Sequence, residues 1–165
     1  MKSLEAAAEN HDADALIDCF APDIIIRSPI TQRIRFSGIE QASDLVRRVF
    51  EIISDVRVYE TVGEGQPSQV IFWRCRVRGH YLEESILLRV ADDGRIKEMT
   101  VFMRPVPGLL ALAVKLASSL AGRRHRLRGL AVHLLLGPIA MLSRFGEPAV
   151  VALTGAGVPV PTRER

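Results

Sequence analysis

Residues 11–50, HDADALIDCFAPDIIIRSPITQRIRFSGIEQASDLVRRVF, constrain the fold more than any other part of the chain. Leu16, Ile17 and Phe20 continue a helical stripe begun by Leu4, Ala7 and Ala8. Asp12 or Asp14 is placed to cap the second piece, because a carboxylate accepts from the free amides of a first helical turn. Ala21-Pro22-Asp23 stops that helix. Ile24-Ile25-Ile26 reads as a strand, since β-branched side chains suit a pleated surface. Ser28-Pro29 and a loop follow, and Gly38 opens a second helix. There Ile39, Ala42, Leu45, Val46, Val49, Phe50 and Ile53 recur at helical spacing, with Glu40, Asp44, Arg47, Arg48 and Glu51 mostly opposite.

The next segment alternates. Val56 to Val62 runs to the turn Gly63-Glu64-Gly65-Gln66-Pro67. Gln69 to Arg78 turns at Gly79-His80, Tyr81 to Val90 turns at Asp92-Asp93-Gly94, and Ile96 to Arg104 follows. Asp93-Gly94 is a hairpin signal, because both residue types tolerate positive φ. Helices followed by a run of antiparallel strands predict an α+β domain. Alternation puts Ile71, Trp73, Cys75 and Val77 on one face and Arg74, Arg76 and Arg78 on the other. Ile86 and Leu88 oppose Leu87 and Arg89; Met99, Val101 and Met103 oppose Glu98, Thr100 and Phe102.

Charge divides the chain. The net charge is +3, but residues 1–104 sum to −3 and residues 105–165 to +6. The sign changes at Arg104-Pro105-Val106-Pro107-Gly108, so the boundary is expected there: a domain over 1–104 and a basic helical extension over 105–165. At 48% hydrophobic the chain can bury a core, which excludes global disorder. Cys19 and Cys75 give neither a disulfide framework nor a metal spacing and read as small buried groups in a reducing compartment. MKSLEAAAENHDAD carries no apolar run, so no signal peptide is visible and a cytoplasmic location is expected.

The order of elements over about residues 3–104, with the "CFAPD" step, the Ile24–Ile26 strand, Ser28-Pro29 and the helix after Gly38, resembles the nuclear transport factor 2-like superfamily. That superfamily includes the SnoaL-like polyketide cyclases and the ketosteroid isomerases. The resemblance implies a cone: a curved antiparallel sheet and N-terminal helices enclosing one apolar pocket. The enclosed face would then carry Ile26, Ser28, Ile71, Trp73, Cys75, Ile86, Leu88, Met99, Val101 and Met103. The resemblance also locates functional positions. Ser28-Pro29 stands where the isomerases place their catalytic aspartate and a proline. Their oxyanion-donating tyrosine falls near Leu4 when Phe20 is the anchor, and their protonated aspartate, a worked example of pKa tuning, falls near Ile86 when Gly94 is the anchor. All three positions hold side chains unable to do that chemistry, because a serine without a base does not replace a carboxylate near neutral pH. Limonene epoxide hydrolase, of similar fold, needs an Asp–Arg–Asp relay, whereas Arg89 alternates away from Ile86. SnoaL-like cyclases use an acidic pocket residue. Glu84, in phase with Ile86 and Leu88, is the one candidate; the ordinary expectation is a solvated carboxylate at the rim beside the Gly79 turn.

Among the remaining candidates, Trp73 suits either a core aromatic or a ligand-stacking wall. Met99 and Met103 suit adaptable lining or ordinary filling. His80 stands at a hairpin beside Tyr81, and His11, His125 and His133 lack ligand spacing, so no metal or cofactor is expected. The arginine row at 74, 76 and 78 reads as a solvated face paired across to Glu60 or Glu83. Thr154-Gly155-Ala156-Gly157-Val158-Pro159 is no dinucleotide loop, since Pro159 blocks the helix such a site needs.

In the extension, Leu109, Leu112, Ala113, Leu116, Ala117 and Leu120 form an apolar helical stripe, Gly122-Arg123-Arg124-His125-Arg126 breaks it, and Leu127 to Leu136 and Ile139 to Phe145 suggest further helix. No uncharged run reaches the ~20 residues of a membrane span. The stripe is expected to pack on the domain or on a second copy in a homodimer. The alternative is peripheral contact with an anionic membrane through Arg123, Arg124, Arg126 and Arg128. Nucleic acid is not expected, because the basic cluster lacks interleaved aromatics. The function expected is binding of a small hydrophobic molecule by Ile26, Ser28, Ile71, Trp73, Cys75, Glu84, Ile86, Met99, Val101 and Met103, without the isomerase carboxylates. The alternative is an isomerase, cyclase or hydratase acting on a polycyclic or terpenoid-like substrate.

Overall fold

The computed structural model describes residues 2–122 of the chain. Its elements are α1 (Lys2–Glu9), α2 (Ala13–Asp18), β1 (Phe20–Arg27), β2 (Arg35–Ser37), α3 (Ile39–Phe50), β3 (Ile53–Val62), β4 (Ser68–Val77), β5 (His80–Val90), β6 (Ile96–Arg104) and α4 (Val106–Gly122). The strands form one curved sheet in the order β2-β1-β6-β5-β4-β3.

The local rules hold at most joints. Asp12 caps α2 by accepting from the Ala15 amide at 2.9 Å. Asp18 ends α2, and the chain passes straight into β1, so Pro22 lies inside a strand. It is tolerated because the β1–β6 ladder is irregular between Phe20 and Ile25, and β2 pairs only with Ile25 to Arg27. Gly38, at φ +81°, takes the sharp entry into α3 that a residue with a Cβ would resist. The β5–β6 turn differs from the expected pattern. Gly94 alone has positive φ, the Ala91 amide donates to the Arg95 carbonyl at 2.8 Å, and the Asp93 carboxylate accepts from the Arg95 amide.

The sheet is not antiparallel throughout. β1 runs parallel to β6, with Ile26 opposite Met99, while the other neighbours are antiparallel. The intervening helix and hairpins provide the long crossover that a parallel pair needs.

One face of the sheet is covered by helices. α1, α3 and α4 pack against it, and the core unites Leu4, Ala8, Phe20, Ile24, Ile71, Val77, Leu82, Leu88 and Leu112. α4 therefore belongs to the same packed unit as the sheet. It approaches so closely at Gly108 that a Cβ there would stand 2.6 Å from the Tyr81 carbonyl oxygen. Arg48, held by Asp44, donates to the Ser119 hydroxyl at 2.6 Å and ties α3 to α4. The expected helices over 127–136 and 139–145, the basic cluster Arg123/Arg124/Arg126/Arg128, His125, His133 and the Gly155/Gly157 segment lie outside the described residues.

The opposite face is solvated. Arg74 lies 5.0 Å over the Tyr59 ring, and Arg76 Nε is 3.8 Å from Asp55. Glu83 lies opposite Arg74 in the ladder, but its hydrogen bonds go to Arg104 Nε at 2.6 Å and Tyr81 Oη at 2.9 Å. Glu60 lies opposite Phe72. The arginine row is thus a solvated face, with partners other than those its spacing suggests.

Candidate functional site

An apolar cavity of about 110 Å³ lies between the covered face of the sheet, α3 and α4. β1 supplies Ile26 and the following Ser28; β4 supplies Trp73; β5 supplies Glu84 and Ile86; β6 supplies Met99, Val101 and Met103. These residues share one pleat phase, which the ladder registers Trp73–Glu84, Glu84–Met103 and Ile86–Val101 carry across three strands. Ile71 and Cys75 are buried on the same face but do not line the cavity. Ile71 is core filling. Cys75 stands behind Glu84, its thiol 3.5 Å from Oε1.

The rest of the wall comes from residues not assigned to a site by sequence. α3 contributes Leu45, Val46, Val49 and Phe50, and α4 contributes Leu109, Leu112, Ala113 and Leu116; Leu16 and Phe36 complete it. Both helical sets were visible as stripes, and periodicity shows that a face is covered without showing by what. At its Ser28–Ile30 end the cavity adjoins a more polar groove lined by Thr31, Gln32, Thr100 and Phe102.

Glu84 is not the rim carboxylate expected. It is 4% exposed and lines the cavity. The strand phase had put it among inward residues, and α4, which packs on β5, covers that end of the strand. Burial raises its pKa to about 7, although the Trp73 indole N–H and the Cys75 thiol both favour the charged form. The indole N–H stands near the carboxylate without completing a hydrogen bond. Cys75 in turn is pushed well above the usual thiol range, first by burial and then by the Glu84 charge. It keeps its proton and serves as a donor, not a nucleophile.

The positions matched to isomerase function give no second acid or base. Ser28 Oγ accepts from the Ile30 amide at 3.2 Å in a local turn. Leu4 is buried in the α1 core away from the cavity, and Ile86 is part of its wall. Arg27 borders the cavity, but its guanidinium turns out to Glu98 at 2.7 Å. No helix among the described residues is long and apolar enough to cross a membrane.

A mixed curved sheet with helices on one face, enclosing a cavity, defines the nuclear transport factor 2-like class. Within it the chain belongs to the SnoaL-like domain family, whose model matches residues 2–99. Solved structures agree. A steroid Δ-isomerase from Pseudomonas aeruginosa superposes with a TM-score of 0.64 at 26% identity, over 72% of this chain and 86% of that one. An uncharacterized protein with a cystatin-like fold from Silicibacter pomeroyi gives 0.68 at 18% identity, over 79% and 92%. A nuclear transport factor 2-like protein from Mesorhizobium loti gives 0.54 at 22% identity, over 64% and 88%. Among the curated proteins nothing matches.

Proposed function

We propose that this chain binds a small, largely apolar molecule in the cavity under α4. The observation that carries the reading is the lining itself: aliphatic and aromatic side chains from sheet and helices around a partly open apolar cavity. Apolar cavities of about 150 Å³ hold a benzene-sized molecule, so 110 Å³ suits a single small ring or short chain. The test uses Trp73, the one tryptophan of the chain, as reporter. Cyclohexane should change its emission in a saturable way. Ala113→Phe, which fills the space from α4, should abolish that response while the far-ultraviolet spectrum stays the same. An unaltered response in a folded Ala113→Phe variant would overturn the reading.

Glu84 favours a second reading, acid–base catalysis of the isomerase, cyclase or hydratase kind. A carboxyl titrating near neutrality in an apolar site can both give and take a proton. With Ser28, Leu4 and Ile86 at the isomerase positions, no oxyanion donors accompany Glu84 there, and β,γ-unsaturated ketosteroids should not turn over at an enzymatic rate. Robust steroid turnover in a direct absorbance assay would reject this account of the site.

We propose further that the chain forms a homodimer through the open face of the sheet. Tyr59 and Phe72 lie tilted against each other there at 6.1 Å, and Phe102 and Val62 are at least half exposed, an apolar patch of the sort that marks an interface. Phe102→Asp should halve the sedimenting mass. A wild-type chain that sediments as a monomer at high concentration would reject the dimer.

A further inference from the structure

We propose that the Glu84 end of the cavity is a recognition site for a protonated amine: the ligand is a small apolar molecule bearing one ammonium group, which pairs with the Glu84 carboxylate. This rests on the cavity being a ligand site and adds the ligand's charge.

The argument begins with what surrounds Glu84. From β4 it meets Trp73 and Cys75, and across β6 it meets Met103. α3 turns Leu45, Val46, Val49 and Phe50 into the cavity, and α4 turns Leu109, Leu112, Ala113 and Leu116. None of these carries charge, and Cys75 alone is titratable. Arg27 at the far border is committed to Glu98, and Arg48 on α3 to Asp44 and Ser119. No cation figures among the causes of the Glu84 shift, in contrast to the other shifted carboxyls, Glu83 and Glu98. Glu84 is therefore a buried carboxyl facing an apolar space without a counter-charge among the described residues.

Buried carboxylates are normally paired. Folding has already removed this one from water, so a cationic ligand must offset only its own desolvation. An ammonium there makes a charge-assisted hydrogen bond, the stronger kind, to an acceptor held in place by the strand and by the Cys75 thiol. The Trp73 ring is directly across the ladder and walls this end of the cavity. The amine also settles the protonation state. Alone, the carboxyl is half protonated near pH 7; beside an ammonium it is ionised. A neutral ligand with an acceptor oxygen would instead require the protonated acid and gain only a neutral hydrogen bond.

Cyclohexylamine, cyclohexanone and cyclohexane share one ring and differ in the head group; because the ketone absorbs weakly where Trp73 is excited, all three are compared by calorimetry. Titrated into the full chain at pH 8, cyclohexylamine should bind roughly tenfold or more tighter than cyclohexane, the ratio expected of one charged hydrogen bond. Its affinity should fall roughly tenfold from pH 8 to pH 6 as Glu84 takes up its proton. Glu84→Gln should remove the preference for the amine over cyclohexane. Should Glu84→Gln not fold, the pH series on the wild type decides alone. Cyclohexanone as the tightest of the three, with affinity falling above pH 7, would overturn the proposal in favour of a neutral acceptor. Equal binding of amine and cyclohexane at every pH would overturn it while sparing the cavity reading. Binding of none of the three would overturn the cavity reading and this inference with it.

Discussion

Glu83 and Glu84 are neighbours on β5 and face opposite sides of one sheet. Burial pushes both upward, but on the open side Tyr81 and Arg104 outweigh it and hold Glu83 below the usual carboxylate range. On the covered side two weak donors do not offset burial, and Glu84 rises to about 7. The same side chain, one residue along, becomes a fixed surface anion or a switchable buried acid. The pleat assigns the face, and the face assigns the chemistry.

The comparison is sharpened most by truncating one aromatic on each face. Trp73→Ala removes a ring that is 6% exposed and should cost ~3 kcal/mol or more in denaturant unfolding. Phe102→Ala removes one that is 56% exposed and should cost under about 0.5 kcal/mol if measured on the monomer. Equal losses would mean the open face is as well packed as the covered one.

The next effect is in pH. Glu84 has a folded pKa near 7 against an ordinary value of 4.5. Its raised value means that stability is fully present below pH 4.5 and falls as pH rises, by roughly 3 kcal/mol in total once pH passes 7. Glu84→Gln should flatten the stability profile between those limits. Glu83 works in the other sense. Its stabilisation is present above the ordinary carboxylate pKa and is lost as pH falls through its lowered value, so Glu83→Gln should steepen nothing near neutrality. A Glu84→Gln profile that still declines between pH 5 and 7 would assign the slope to another group, an outcome read in a pH series of denaturant midpoints.

Gly108→Ala should come third. Its new methyl would meet the Tyr81 carbonyl at 2.6 Å and Leu82 at 2.9 Å, so α4 must shift off β5, costing ~1–3 kcal/mol. That shift would admit water to Glu84 and move its titration down towards the ordinary value, measurable in the same pH series. Smallest is Arg104→Gln on the open face. The Arg104 side chain is 80% exposed, and such pairs contribute at most about 1 kcal/mol.

Much of this was legible from residues alone, and for a physical reason. Strand alternation in VIFWRCRV and helical spacing over Ile39–Phe50 are local consequences of burial on one face, so both could be read directly. The β1–β6 parallel pairing could not, since it joins Ile26 to Met99 across most of the domain and leaves no local mark. Glu84 shows the limit most clearly. Its phase placed it inward, and only the general rarity of buried glutamate argued for the rim. Which consideration wins depends on α4, whose apolar stripe was plain but whose partner was not. Ile71 and Cys75 failed as lining residues for the complementary reason: phase reports the face, not where along the strand the empty volume lies.

The covering helix has one more consequence. The SnoaL-like match ends at residue 99, and α4 begins at Val106. Chamber and ceiling are thus written in separate, consecutive stretches of sequence, with the acid in the first and four of the apolar contacts in the second. Replacing a 17-residue helix would resize the chamber while leaving the sheet, its registers and Glu84 in place. For the ligand site proposed above, this division would make selectivity modular: Glu84 of the sheet would choose the head group, and the helix at 106–122 the bulk of the body.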